Sequence, residues 1–415
     1  MFIIIAAILA TNPTTQTPKN TSAKRTYPET APTTIINVTD YPGETDSEKI
    51  QNALNDVPPE GAIVFIPEGT WEAYNLTAKS NTWIMGTNKT IIKRPENTTL
   101  PIIKFQNCTN FSILFLTFDG QEIENAGAIY IVNCTNFLIY NNTFTDIEKT
   151  AIKVVGYSEN FKIKNNLFNQ CNDAPILLFG SPSTRIVKNF IIENNTLMNG
   201  EDNGKIGVAF SANGIITKNK VINCEYGIAT RNISNITITE NKIENSTNYA
   251  IYLGTQICDP GTDNVIISKN KITNCQIGIG RYYGQYPIKN VTVESNLIIN
   301  SKEWDIYADF PATFINNTIT SIEKLKILTP ATKFINNKDI NQTPIQPADT
   351  DKNGIVDISD ISKVAIAYGK NINDPEWNPD LDLIQDEKID ISDISFAAAH
   401  FGITVTIRSN TYLGE

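Results

Sequence analysis

Histidine is almost absent from this 415-residue chain, with one copy at His400, and methionine (3), tryptophan (4) and cysteine (6) are sparse. Before residue 400 no imidazole is available for acid–base work or metal ligation. No apolar run approaches the length of a membrane span. Basic residues are outnumbered, 34 against 44 acidic ones, for a net charge of −10 with no local basic patch. That balance speaks against a nucleic-acid surface, and a polyanionic substrate would need a divalent cation as a bridge.

What the chain has in quantity is a repeat. An apolar residue, an asparagine three positions later and a second apolar residue two further on recur as Ile139/Asn142/Phe144, Ile163/Asn166/Phe168, Ile192/Asn195/Leu197 and Ile216/Asn219/Val221. The series continues through Ile238/Asn241/Ile243, Ile267/Asn270/Ile272, Val293/Asn296/Ile298 and Phe314/Asn317/Ile319, at intervals of 21 to 29 residues. Short alternating segments at this period, without the three-and-four spacing of a helix, indicate a solenoid of strands. Three strands per turn make a parallel β-helix whose coils stack about 4.8 Å apart. The recurring asparagine then sits at one corner, its amide bonding the amides above and below, and it is expected to take the left-handed backbone of a sharp turn.

The spacing also sorts the cysteines. Cys171, Cys224 and Cys275 each fall five residues after a repeat asparagine in alternate coils, about 10 Å apart and too far for a disulfide. Cys108 and Cys134 share another position on neighbouring coils, where a bond is geometrically allowed, and Cys258 lies in a longer loop. Stacked structural thiols are the expectation.

The first ten residues, MFIIIAAILA, read as the core of a secretory signal without its basic leader, and residues 11–33 as a Thr/Pro-rich linker. Sequons such as those at Asn75, Asn110, Asn235 and Asn290 would become glycan sites on export, so a secreted or cell-surface protein is expected. Residues 34–335 form the expected β-helix domain, opened by a short helix that the TDSE capping box at 45–48 starts and that covers the first coil. Residues 336–347 read as a linker, 348–404 as a small separate domain and 405–415 as a tail.

The segment VTDYPGETDSEKIQNALNDVPPEGAIVFIPEGTWE (38–72) resembles the start of the pectate-lyase and polygalacturonase superfamily of right-handed β-helix proteins, and NITITENKIENSTNYAIYL (235–253) is similar to its carbohydrate-associated repeats. The resemblance implies a mainly β fold and a polysaccharide or surface-glycan ligand; it does not fix the chemistry, because this fold hosts many activities.

The second domain repeats an oxygen-rich loop. Asp349, Asp351, Asn353, Ile355, Asp357 and Asp360 stand at positions 1, 3, 5, 7, 9 and 12 of a calcium loop, with Gly354 at the turn and Ile355 offering its carbonyl. Asp382, Asp386, Lys388, Asp390 and Asp393 form a second copy 33 residues on, degraded by Ile384 at position 3 and Glu387 in place of the glycine. With one helix after each loop, and Tyr368-Gly369 and Phe401-Gly402 closing the copies, the region resembles a dockerin type I module. That implies calcium and a cohesin-like partner, contacted through Ile358, Ser359, Ile391 and Ser392. His400 is expected on a partly exposed helical face.

In enzymes of the superfamily, catalysis sits on the strand after the asparagine corner and the next bend. Alternation puts Tyr130, Lys153, Leu177, Ala209, Ala229, Tyr252 and Tyr307 outward at one level, with Val132, Val155, Phe179, Ser211, Arg231, Tyr282 and Asp309 at the next. The richest charged cluster is Asp173, Glu201, Asp202, Lys205 and Arg231. Calcium-assisted β-elimination would use the three carboxylates on the cation and Lys205 or Arg231 as base. The superfamily's hydrolase motifs are missing, with no Asp-Asp, no Asn-Thr-Asp and no histidine in the region, so a lyase is the stronger catalytic reading. The alternative is a non-catalytic scaffold protein that uses the solenoid as a rigid glycan- or protein-binding surface, with Tyr252, Tyr282, Tyr283 and Trp304 as candidate sugar contacts.

Overall fold

The computed structural model describes residues 30–96, 98–181, 186–200, 204–255, 261–281, 287–328, 333–345, 348–351, 353, 355–384 and 386–402. The chain divides into two compact units, 1–224 and 225–415, each described here by itself.

In the first unit one coil consists of Ile129–Val132, Thr135–Tyr140 and Thr143–Ile147, and the next of Ile152–Val155, Glu159–Lys164 and Leu167–Cys171. Each strand pairs in parallel with its equivalent one coil away: Ile129 with Ile152, Phe137 with Phe161, Phe144 with Phe168. The result is three parallel sheets, called I, II and III in the order of the strands just given. Inward positions carry the core. Phe111, Phe137, Phe161 and Phe190 stack with ring centroids 4.9, 4.5 and 5.7 Å apart, and Phe118, Phe144 and Phe168 at 5.1 and 4.8 Å. Like residues meet because the register brings each over itself at the strand spacing. The first column stops at Gly214, where a Cβ would lie 2.1 Å from the Phe190 ring.

The expected amide ladder is present. The Asn142 side-chain nitrogen donates to Asn166 Oδ1 at 3.1 Å, Asn166 to Asn195 at 3.0 Å and Asn195 to Asn219 at 3.0 Å. Each Oδ1 also accepts the backbone N–H of the asparagine one coil earlier, at 2.9–3.0 Å. The second Nδ2 hydrogen goes to the carbonyl of Ile113, Ile139, Ile163 or Ile192. These side chains are at most 2 % exposed, yet their polar valences are met. One expectation is corrected. The left-handed residue is not the ladder asparagine but the one before it: Asn141 (φ 54°), Asn165 (58°), Asn194 (53°) and Lys218 (57°). The turn is spent one residue early so that the amide can point inward, and lysine serves there because its side chain faces solvent.

The first coil is closed by α1 (Asp46–Asn55). Thr45 and Glu48 form the capping box, and Ile50, Ala53 and Leu54 are buried. The Gln51 carboxamide accepts the Thr77 N–H (2.8 Å) and donates to the Thr77 carbonyl (3.0 Å), as a neighbouring strand would, which blunts the edge of Leu76–Ala78.

The second unit repeats the plan. Sheet I runs Ile228–Arg231, Tyr249–Gly254, Ile277–Gly280, Trp304–Ala308 and Leu325–Ile327, and the ladder Asn241, Asn270, Asn296, Asn317 has Nδ2–Oδ1 steps of 3.0, 2.9 and 3.0 Å. It gains a further rung, Asn337, at 2.9 Å. Thus Asn337–Asp339, inside the expected linker, is a strand parallel to Thr318–Ile319, and Pro344–Ile345 pairs antiparallel with it. The reversal ends parallel propagation. Two helices follow, α2 (Ile358–Ile366) and α3 (Ile391–Ala399).

Asn195→Ala removes the acceptor of two buried N–H groups and the donor to Ile163 O. It is expected to cost about 3 kcal/mol in denaturant unfolding, against less than about 1 kcal/mol for outward Lys162→Ala on the preceding coil.

Candidate functional site

Sheet I of the first unit presents one outward row in register, Thr77, Lys104, Tyr130, Lys153, Leu177 and Gly207. The inward positions beside it, Ile129, Ile152, Ile176 and Ile206, are buried. Two placements expected from the sequence are corrected here. Leu177 is level with Gly207 and Phe179 with Ala209, while Ser211 opens the next strand of sheet II. The reason is that Ile206 and Val208 take the inward sites, which sets Gly207 and Ala209 outward.

Beside this row the corner preceding each sheet I strand adds Asn125 and Gly127, Lys149 and Thr150, and Asp173. Together with Thr99 and Pro101 they enclose an open groove of about 300 Å³. Lys153 Nζ lies 5.7 Å from the centre of the Tyr130 ring, a cation–π distance. Asp173, held at φ 50°, accepts the Thr150 hydroxyl at 3.4 Å, and its backbone carbonyl accepts Lys205 Nζ at 3.4 Å. The groove therefore joins an aromatic ring, two lysines and one carboxylate.

Of the charged cluster expected from the sequence, Asp173 and Lys205 are brought together. Arg231 is exposed at the end of Ile228–Arg231 in the second unit. Glu201 and Asp202 lie outside the described residues, as do Tyr282, Tyr283, Gly354 and Cys258. Lys149 was missed by sequence reasoning, though the signal exists: it stands seven residues after Asn142, as Asp173 stands seven after Asn166.

On sheet I of the second unit, Tyr252 packs 5.1 Å from Tyr249 and 6.1 Å from Tyr226, and Lys326 Nζ lies 5.3 Å over Trp304. Burial pushes the Tyr249 hydroxyl well above its ordinary range. Arg281 and Asp309 form an ion pair at 3.1 Å, and burial pushes the Asp309 carboxyl up despite the guanidinium. Tyr252 and Trp304 thus belong to a half-buried aromatic cluster.

In the C-terminal region the carboxylate oxygens of Asp349, Asp351 and Asp360 lie within 4.8 Å of one another. The loop is already wound: Asn353 N–H donates to Asp349 and Asp351 at 3.1 Å, and Ile355 N–H to the Asn353 side chain at 2.8 Å. The Ser359 hydroxyl, donating to Asp351 at 2.7 Å, holds that carboxyl below its ordinary range. Three converging carboxylates repel unless a cation joins them, so this oxygen set fits a hard divalent ion. Asp357 caps α2, accepting Ser359 N–H.

The second copy is less suited. Ile384 is buried where Asp351 stands in the first copy. Both Asp382 oxygens accept loop N–H groups from Asp386 and Glu387, as both Asp360 oxygens do from Thr350, Asp351 and Asp357 in the first, and burial pushes the Asp393 carboxyl up. Lys388 pairs with Asn371 in an isolated bridge, and Asp390 caps α3. The copies interlock reciprocally, Gly369 N–H donating to Ile389 O at 2.7 Å and Gly402 N–H to Val356 O at 2.8 Å. Ile358 and Ile391, at equivalent places, are 67 % and 63 % exposed, beside Ser359 and Ser392.

His400 is not on an exposed face. It is 1 % exposed, its Nδ1 lies 2.7 Å from Phe396 O, and its ring sits 4.3 Å from Phe396 and 6.3 Å from Phe334 of the last sheet II strand. The end of α3 turns it toward that strand. The five described cysteines are free and buried, with burial raising the thiols of Cys171, Cys224 and Cys275.

Residues 35–252 match the family model "Rhamnogalacturonase A/epimerase, pectate lyase-like", and residues 187–319 match "Right handed beta helix region". Among solved structures, the chain is similar to the surface adhesin PfbA of Streptococcus pneumoniae at 18% identity and TM-score 0.57, over 74% of this chain and 88% of that one. It is also similar to the A-module of mannuronan C-5 epimerase AlgE6 from Azotobacter vinelandii (16%, TM-score 0.52, 75% and 100%). A third is the catalytic unit of the GH87 alpha-1,3-glucanase of Streptomyces thermodiastaticus (15%, 0.56, 78% and 68%). At these identities the likeness is one of fold. No curated protein matches the chain.

Proposed function

Because the chain belongs to the rhamnogalacturonase A/epimerase, pectate lyase-like family, we propose that it binds polysaccharide along the outer face of sheet I in its first unit. The observation that carries this reading is the groove in which Tyr130, Lys149, Lys153 and Asp173 converge on a rigid sheet. A tyrosine face offers a platform for a sugar ring, and the lysines and carboxylate around it offer polar partners for hydroxyl and carboxylate groups.

The reaction these residues suit is β-elimination on a uronate. Asp173, with Glu201 and Asp202, would hold a calcium ion, which would supply charge withdrawal from the uronate carboxylate. Lys205, as the neutral amine, takes the proton α to it; a C=C bond forms as the glycosidic C–O bond on the adjacent carbon breaks, and the departing oxygen takes a proton from water. The second reading is binding without turnover. It is favoured by the positions following Lys153 and Val155, where Leu177, Gly207, Phe179 and Ala209 offer no acid or base. In the second unit, Tyr252 and Trp304 are proposed as a separate aromatic sugar contact.

The C-terminal region is proposed as a dockerin-like module that takes calcium at Asp349, Asp351, Asn353, Ile355, Asp357 and Asp360, and meets a cohesin-like partner through Ile358/Ser359 or Ile391/Ser392. The protein is proposed to work outside the cell, secreted or surface-attached. Support for the module comes from the converging carboxylates and the reciprocal Gly369 and Gly402 hydrogen bonds.

Titration with a panel of uronate-rich and neutral polysaccharides in calcium tests the groove. Lys149→Gln/Lys153→Gln is expected to weaken binding by about tenfold or more, and unsaturated products, read by ultraviolet absorbance, decide between the two readings. Uniform failure to bind across the panel would remove the proposal. For the tail, calorimetry of the full chain is expected to show calcium uptake that Asp349→Ala and Asp360→Ala abolish and Asp386→Ala largely spares; uptake unchanged in the first two variants contradicts the ligand assignment.

A further inference from the structure

Arg94 has no exposed surface and, among the described residues, no acidic partner. Its two terminal nitrogens donate to the carbonyls of Leu100 and Gly127, and its Nε is buried without a hydrogen-bond partner. The nearest acidic residue in register, Asp119 beside Lys93, turns its carboxylate to Gln121, accepting the backbone N–H at 3.0 Å and the side-chain amide at 2.7 Å. Burial draws the guanidinium down to about 10, which still leaves it charged at neutral pH.

A buried cation without a counter-ion is costly to keep, so what its field reaches matters. Gly127 lines the groove, and Leu100 lies between Thr99 and Pro101, which line it as well. Gly127 contributes no side chain, so one peptide group separates the guanidinium from the groove at that point. The same groove holds Lys149 and Lys153 against the single carboxylate of Asp173. In a chain of net charge −10 this is a local concentration of positive charge.

We propose that Arg94 is a positioning residue that sets the sign of this groove, selecting saccharides that carry an anionic group, a carboxylate or a sulfate ester, over their neutral counterparts. It acts from behind the wall, through the peptides of Leu100 and Gly127. A low-dielectric wall weakens its field less than water would. The inference rests on the groove being the saccharide site.

The test compares oligogalacturonate with its full methyl ester, which keeps the sugar ring and removes the charge, on wild type, Arg94→Lys and Arg94→Met. Wild type is expected to prefer the acid by about tenfold or more. Arg94→Lys is expected to keep that preference, and Arg94→Met to lose it while binding the ester as wild type does. Equal binding of acid and ester by wild type overturns the inference, and so does a parallel loss of both ligands in Arg94→Met with an unchanged ratio, which would mark a structural clamp. Inorganic sulfate supplies an arm that needs no saccharide. Sulfate is expected to raise the melting midpoint of wild type and Arg94→Lys more than that of Arg94→Met, at matched ionic strength, and equal shifts overturn the inference. If neither oligosaccharide binds while sulfate still discriminates the variants, it is the saccharide reading that fails and the anion site that stands.

Discussion

A buried amide that must find four hydrogen-bond partners constrains everything else in this molecule. An interior rung such as Asn195 accepts two N–H groups from the asparagine one coil before it and donates one hydrogen to the next asparagine and one to a carbonyl. That pattern closes only when successive coils are in register. A slip of one residue would put the amide outside and the neighbouring polar side chain in the core. The phenylalanine stacks have the same requirement, but apolar contact tolerates displacement and a hydrogen bond does so far less. The ladder fixes the register, and packing fills what the register leaves.

Once the register is fixed, so is the outward face. Tyr130 and Lys153 meet because they hold equivalent positions on adjacent coils, and Lys149 stands near Asp173 because both are seven residues past a rung. The groove is thus assembled from positions that a solenoid repeats, with loops at 99–101 and 125–127 forming its far wall. Its charge is less local. Arg94 follows directly on the sheet III strand Thr90–Lys93 and reaches the groove only through the carbonyls it binds.

Legibility in the sequence followed periodicity. Rungs 142 to 317, the capping helix and the acidic loops could be read because each repeats or matches a spacing with a mechanical reason. Asn337 could not, since no apolar residue stands two positions after it. The left-handed corner was placed one residue late, because asparagine at both Asn141 and Asn142 made the two roles look like one; Lys218, Glu240 and Lys269 at the equivalent corners separate them. His400 was misjudged because the partner that buries it, Phe334, is distant in sequence and belongs to another element. Arg94 carries no sequence signal, since its partners are backbone carbonyls. The acidic loops show the opposite case: spacing alone located them, and the copies part at position 3, where Asp351 takes the Ser359 hydroxyl while Ile384 leaves the equivalent Ser392 to turn to Asp390.

The most direct test of the register argument is hydrogen exchange of side-chain amides, followed by NMR in deuterium oxide. The Nδ2 protons of Asn166, Asn195, Asn270 and Asn296 should persist on the timescale of the slowest backbone amides, while those of Asn194 and Asn199, which bond Asn165 and Asn169 but stand open to water, should exchange far faster. If the rung amides exchanged as fast as the outward ones, the ladder would not be what holds the coils in register.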